Sequence, residues 1–353
     1  MTRAPRVLNA NFATAEQKLA PNQPLVAGGS YDLLVNIGPR WQDGSIVVGN
    51  DAFPIAALPQ GVEGHLIDVV FSTTDFDPPM SRAQLWLPAD FGASSPVTAE
   101  GQPSESGPVR LPVRVLGPEP NGRSRSKTRA RGRLCLYHEN NLLQSATLSV
   151  GLVRKGEEKR RARNRIAVDF RLTGTFRGAG AQFAVRRFGD QERKVGLNIT
   201  LNDDGGGNHR ILVNGGEKLG AAWMPYDPSA LKNALDRCRA ELINIFMTRN
   251  ENGDATNAFG LDASNGKTKR QFQLDIYVLA RLGEQLFDAM MKQLRPESGD
   301  EVSWVRELQK VLSSRSIIQV ARTGETPRQY VWPWALLYSY PLPNYGVPKA
   351  VRY

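Results

Sequence analysis

Five side chains in this 353-residue sequence are of the types that carry out nucleophilic acyl chemistry: Cys135, Cys238, His65, His138 and His209. A cysteine attacks a carbonyl as its thiolate, and a histidine within hydrogen-bond reach takes and returns the proton. Cys135 and His138 stand three residues apart on a segment that alternates like a strand, and that spacing sends them to opposite faces. Cys238 falls on the apolar side of a helical pattern, where a small buried thiol is the ordinary occupant. His65 and His209 have no cysteine near them in the sequence. The expectation is that this chain contains no catalytic residue.

Metal and phosphate chemistry fare no better. Three histidines and two scattered cysteines give no zinc spacing. Asn250-Glu251-Asn252-Gly253-Asp254 has the composition of a calcium loop, but its glycine is misplaced, and Leu261 stands where the twelfth residue must ligate. Gly205-Gly206-Gly207 lacks the strand-turn-helix context and the lysine of a phosphate loop. It reads as a hairpin turn. No cofactor and no metal site is expected.

The net charge of +10 is concentrated in two short runs. The first is Arg123, Arg125, Lys127, Arg129, Arg131 and Arg133, one cation at every second position. The second spans Arg154 to Arg165, with seven Lys/Arg against Glu157 and Glu158. Basic runs between structured segments are ordinarily solvated connectors. If the first were extended, its alternate residues would form a comb of cations able to follow a phosphate backbone. No aromatic residue interleaves them for stacking on bases.

The elements that must position these residues come in two rhythms. Residues 1–22 show little periodicity and read as an arm or short edge segment. From 23 to 153 the pattern is of short strands and turns: Leu33–Ile37, His65–Phe71, Gln84–Leu87 and Val109–Val115, the last marked by Pro112 as an edge strand. A hairpin follows, 133–138 and 142–150 around Glu139-Asn140-Asn141. The stretch 88–108, rich in Ser, Pro and Gly, reads as a long surface loop. Together these predict a β-sandwich.

Residues 154–165 then read as a basic linker, and 166–353 as an α/β domain. Strands are expected at 166–172, 195–201 and 210–213. A helix opens at Asp227-Pro228 with Leu231, Leu235, Cys238, Leu242 and Ile245 on one face, and a second runs from Phe272 to Met290. Ser298-x-x-Glu301 is a capping box for a third, and Ser316–Ala321 is apolar enough for a buried central strand.

Three stretches carry a family resemblance. Ile318-Gln319-Val320-Ala321-Arg322 with Val331-Trp332-Pro333-Trp334-Ala335-Leu336-Leu337-Tyr338-Ser339-Tyr340-Pro341-Leu342 is similar to a segment of bacterial CHAT (caspase-like) proteins. Leu197-x-Ile-x-Leu-Asn-Asp-Asp resembles a strand and turn upstream in such proteins. Tyr137-His138-Glu139-Asn140-Asn141-Leu142-Leu143-Gln144 resembles the hairpin of the β-domain that often precedes them. The resemblance implies a cysteine protease whose histidine and cysteine come late in the domain. In this chain no histidine follows His209 and no cysteine follows Cys238.

The resulting expectation is an α+β / α/β chain: a β-sandwich, then the front portion of a caspase-like domain, inactive by itself. It would serve as the recognition or regulatory portion of the protease. Its partner would be a protein, or the missing C-terminal protease half. The alternatives are a non-enzymatic interaction module, or a nucleic-acid-sensing subunit using 123–133 and 154–165. The two cysteines and the lack of a leader-like or membrane-spanning apolar run predict a cytoplasmic protein without membrane contact.

Overall fold

The computed structural model describes residues 5–42, 44–59, 62–90, 92–98, 100–104, 107–117, 128–154, 156, 161–172, 195–203, 209–215, 221–225, 228–246, 269–293, 306–311 and 317–323. The chain divides into two compact units. The larger takes residues 1–223 and 310–327, and the smaller takes 224–309 and 328–353.

The larger unit is built of β-sheets. Strands β1 (Val7–Ala13), β3 (Ser30–Gly38), β9 (Val109–Val115) and β6 (Phe76–Asp77) form one sheet in that order. A second sheet runs β4 (Val47–Val48), β12 (Arg165–Arg171), β11 (Asn141–Val153), β10 (Arg129–His138), β5 (Gly64–Thr73), β7 (Met80–Pro88) and β8 (Ser95–Pro96), with β2 (Leu25–Val26) beside the end of β11. Their facing sides share one core. Leu8, Phe12, Leu33, Val35 and Leu111 come from the first sheet, and Ile67, Phe71, Leu134, Leu136, Leu148 and Ile166 from the second. Alternation along each strand is what allows this, since every second side chain meets the opposite sheet. The expected sandwich is present.

A third sheet, β15 (Ala221–Pro225), β14 (His209–Gly215), β13 (Val195–Asp203) and β16 (Ile317–Arg322) in that order, covers part of the second sheet's outer side. Leu212 and Ala321 pack there with Val70, Cys135, Tyr137 and Leu142. Strands β13 and β14 pair antiparallel, as expected of the two strands, while the turn expected at Gly205-Gly206-Gly207 lies outside the described residues; β16 lies parallel to β13.

Several boundaries differ from the sequence reading. Of the two readings of 1–22, the edge segment is the one found rather than the arm: β1 is the edge strand of the first sheet, and every residue of it is buried. Asn9 and Asn11 hide its apolar alternation, but their amides are satisfied by the carbonyls of Pro39 at 2.9 Å and Leu19 at 2.7 Å. Strand 165–171 belongs to the sandwich rather than to a second domain, because it pairs with β11 and places Ile166 in the shared core. The segment before it is anchored where described. Ala162 N donates to Asn22 O, Asn164 Nδ2 to Gln23 O and Gly151 N to Asn164 Oδ1. The 88–108 stretch is tied down by Ser94, whose hydroxyl accepts from Ile37 N and Asn36 Nδ2. The hairpin turn is two residues rather than three. Glu139 and Asn140 both take positive φ, as a type I′ turn demands, and a bulge near Leu136/Tyr137 absorbs the extra residue.

The smaller unit contains α1 (Pro228–Phe246) and α2 (Lys269–Gln293). Helix α1 begins at Pro228, where a missing N–H costs nothing. Leu235 and Cys238 of α1 and Leu282, Leu286 and Phe287 of α2 are buried, as the 3.6-residue period requires. Residues 306–311 are helical, and Leu308 is buried there. The capping box at Ser298 and the Trp332–Leu342 motif lie outside the described residues. Among the described residues no helix is long and apolar enough to cross a membrane.

Candidate functional site

Cys135 is fully buried beneath the third sheet. Burial pushes its thiol up to about 11, and nearby Arg133 offsets only part of that. A thiol held protonated is a poor nucleophile. Cys238 is buried and also shifted upward by burial. Both cysteines are free.

His138 does not serve Cys135. Its Nδ1 lies 3.1 Å from Leu66 O, an acceptor only, so Nδ1 carries the hydrogen. Its ring instead meets His65 edge-on at 5.2 Å between centroids. Burial lowers the His65 pKa, and His138 and Arg6 lower it further. Buried Arg6 donates from Nη1 to Pro88 O at 2.8 Å. Two imidazoles and a guanidinium, the last within the field of Asp90, gather here without a nucleophile. His209 begins β14, apart from both in sequence. Among the described residues no group of three His, Cys, Asp or Glu could hold a metal ion.

Two other arrangements carry more information. The first is a polar junction beneath the third sheet. Gln319 of β16 accepts from Leu142 N at 2.7 Å through Oε1 and donates to Leu142 O at 3.3 Å through Nε2. Asn198 Nδ2 of β13 reaches the same Oε1 at 2.6 Å, and Thr200 Oγ1 donates to Asn198 Oδ1 at 2.7 Å. Asn140 in the hairpin turn donates to Val195 O at 3.3 Å. Gln319 is expected from sequence only as part of a buried strand, and its amide, together with the Asn140 bond, ties the hairpin to the third sheet. Strand β16 departs from that expectation in another way. Among the described residues it pairs with β13 alone, and Val320 is 37% exposed, so it is not covered on both faces.

The second arrangement is the outward side of the sandwich beyond the third sheet. The supposed comb is only partly solvated. Arg133 is fully buried and paired to Asp169 through Nη1, at 2.7 Å to Oδ2 and 3.0 Å to Oδ1, with Ser145 Oγ at 2.6 Å. Arg129 and Arg131 share its face of β10. Arg129 Nε donates to Ser149 Oγ at 2.8 Å, and its Nη2 donates to Arg163 O at 2.7 Å. Arg123, Arg125 and Lys127 lie outside the described residues.

No known protein family, curated protein or solved structure matches the chain.

Proposed function

We propose that this chain is the recognition or regulatory portion of a bacterial caspase-like protein of the CHAT type, engaging a partner and cutting no peptide bond itself. The observation that carries the reading is the polar junction. Its members Leu142, Asn198 and Gln319 come from the three separate stretches on which the resemblance rests, and Leu142 and Gln319 are 177 residues apart. The three stretches therefore form one hydrogen-bonded unit in the fold, which supports reading them together. The parallel placing of β16 beside β13, with α1 and α2 between them in the chain, is also the connection an α/β domain uses. The two free buried cysteines suit a reducing cytoplasm.

A non-enzymatic interaction module is the second reading, and the enclosed Cys135 suits both readings equally. The reading frame beyond codon 353 separates the two. Continuation into a histidine and then a cysteine supports the protease portion. A stop codon without such a pair overturns it and leaves the interaction module.

A further inference from the structure

The β10–β11–β12 pairing brings the described part of the first basic run, Arg129 and Arg131 on β10, to the described end of the second, Arg161, Arg163 and Arg165. The first run leads into β10 and the second leaves β11. The hairpin's open end is closed by Leu152 N donating to Thr128 O at 2.8 Å. The register then sets Arg131 opposite Ser149, and Ser149 opposite Arg165 on β12. Ser149 thus stands in the middle of a row with an arginine on either side, and Arg129 leans onto its hydroxyl. Arg161, Arg163 and Arg165 are exposed beside this row.

Charge is not balanced here as it is elsewhere on the same sheet. Asp68 pairs with Arg82 at 3.0 Å, and Asp169 with Arg133. Among the described residues no carboxylate pairs with Arg129, Arg131, Arg161, Arg163 or Arg165. Two acids border the row: Asp75 is buried and accepts from the backbone N of Arg131, and Asp169, already paired with Arg133, accepts from Thr147 Oγ1 at 3.1 Å. Mutual repulsion is visible in Arg129, whose pKa is lowered by burial first and then by Arg165 and Arg131.

We infer that this arginine row around Ser149 is a docking surface for the phosphate backbone of duplex nucleic acid. Arg129 and Arg131 are about 6.7 Å apart along the strand, and Arg131 and Arg165 about 9.5 Å apart across two strand spacings. A duplex carrying one charge per ~1.7 Å of axis presents phosphates at such intervals along its whole length. The floor between the cations is Ser149, Thr147 and Ala167, small side chains on the outward positions. No aromatic stands in the row for bases to stack on, which favours a duplex backbone over a single strand. No large apolar side chain stands in it for insertion into a lipid interface. The inference is independent of whether the chain belongs to a protease.

The test is fluorescence anisotropy of the full chain with a labelled duplex of arbitrary sequence, titrated across NaCl. Vesicles of phosphatidylcholine and phosphatidylserine, and polyglutamate, serve as the other polyanions. About four phosphate contacts give a log–log salt slope near −4, or roughly 10²-fold weaker binding between 50 and 200 mM salt. Arg131→Glu with Arg165→Glu should weaken binding at least about tenfold and flatten the slope by about 2. Arg131→Lys with Arg165→Lys should retain most of it. Should the first pair disturb folding by circular dichroism, Arg161→Glu with Arg163→Glu replaces it with the same expectation. Absence of duplex binding, binding indifferent to these reversals, or binding confined to vesicles or polyglutamate overturns the assignment.

Discussion

Gln319 holds both main-chain polar groups of Leu142, its carboxamide oxygen accepting from the N–H and its NH₂ donating to the carbonyl. A side-chain amide thereby takes the place of a neighbouring strand at the bulged end of the hairpin. Removing it in Gln319→Ala leaves a buried N–H and a buried C=O without partners, and each unsatisfied group costs about 1–3 kcal/mol. Equilibrium denaturation of the variant should show a loss in that range. Gln319→Glu should recover little, because a carboxylate cannot donate to Leu142 O at neutral pH. Unchanged stability in Gln319→Ala would mean the junction holds nothing together.

The buried guanidinium of Arg133 depends on Asp169, while Asp169 itself retains some contact with water. Asp169→Ala therefore leaves a buried charge uncompensated and should destabilise by about 3–5 kcal/mol. Arg133→Met with Asp169→Leu removes both charges and should restore most of that loss. A double-mutant cycle in thermal or urea unfolding measures the difference. Equal losses in the single and double variants would contradict the pairing.

His65 gives the protein a pH dependence with a definite direction. Its folded pKa is lowered by burial, then by His138 and Arg6, whereas the unfolded residue titrates near 6.5. Below that pH the unfolded chain takes up a proton that the folded chain refuses, so this contribution is present above about 6.5 and declines as pH falls toward the folded value. Melting temperature should drop between pH 7 and pH 5, and the drop should shrink in His65→Gln. A wild-type curve flat through this interval would count against the cluster.

Gly151 approaches the returning chain so closely that a Cβ there would lie 2.4 Å from the Cβ of Ala162. This contact, with the bonds of Asn164, ties residues 162–165 to the sandwich. The Arg163–Asn164 and Arg165–Ile166 bonds should therefore resist mild trypsin in the wild type. Gly151→Leu should push the segment away and expose both bonds, as mass spectrometry of the first fragments would show. Early cleavage at these two bonds in the wild type would restore the free-linker reading of 154–165.

Strands and helices were largely legible in the sequence because period 2 and period 3.6 are written in single positions, as in Val109–Val115 or the Leu235–Cys238 spacing of α1. Layering was not. The chemical character of 154–165 says "linker", but a basic segment can also be the short return between two paired strands, and only β11–β12 pairing distinguishes these. In sequence Arg133 looks like Arg131 and Arg129, which are only half-buried, and nothing local announces that Asp169 waits across the sheet. Gln319 sits in an apolar run, where a lone amide carries no sign of its distant partner. The exclusion of Cys135 and His138 as a pair needed only strand parity, and the structure gives each a different set of neighbours.

The proposed role is recognition rather than cleavage, and incubation of the full chain with an unbiased peptide library puts it to the test. With Cys135 held protonated under the third sheet and Cys238 buried on α1, cleavage should not rise above that of buffer, and Cys135→Ala and Cys238→Ala should change nothing. Cleavage that disappears in either variant would contradict the account.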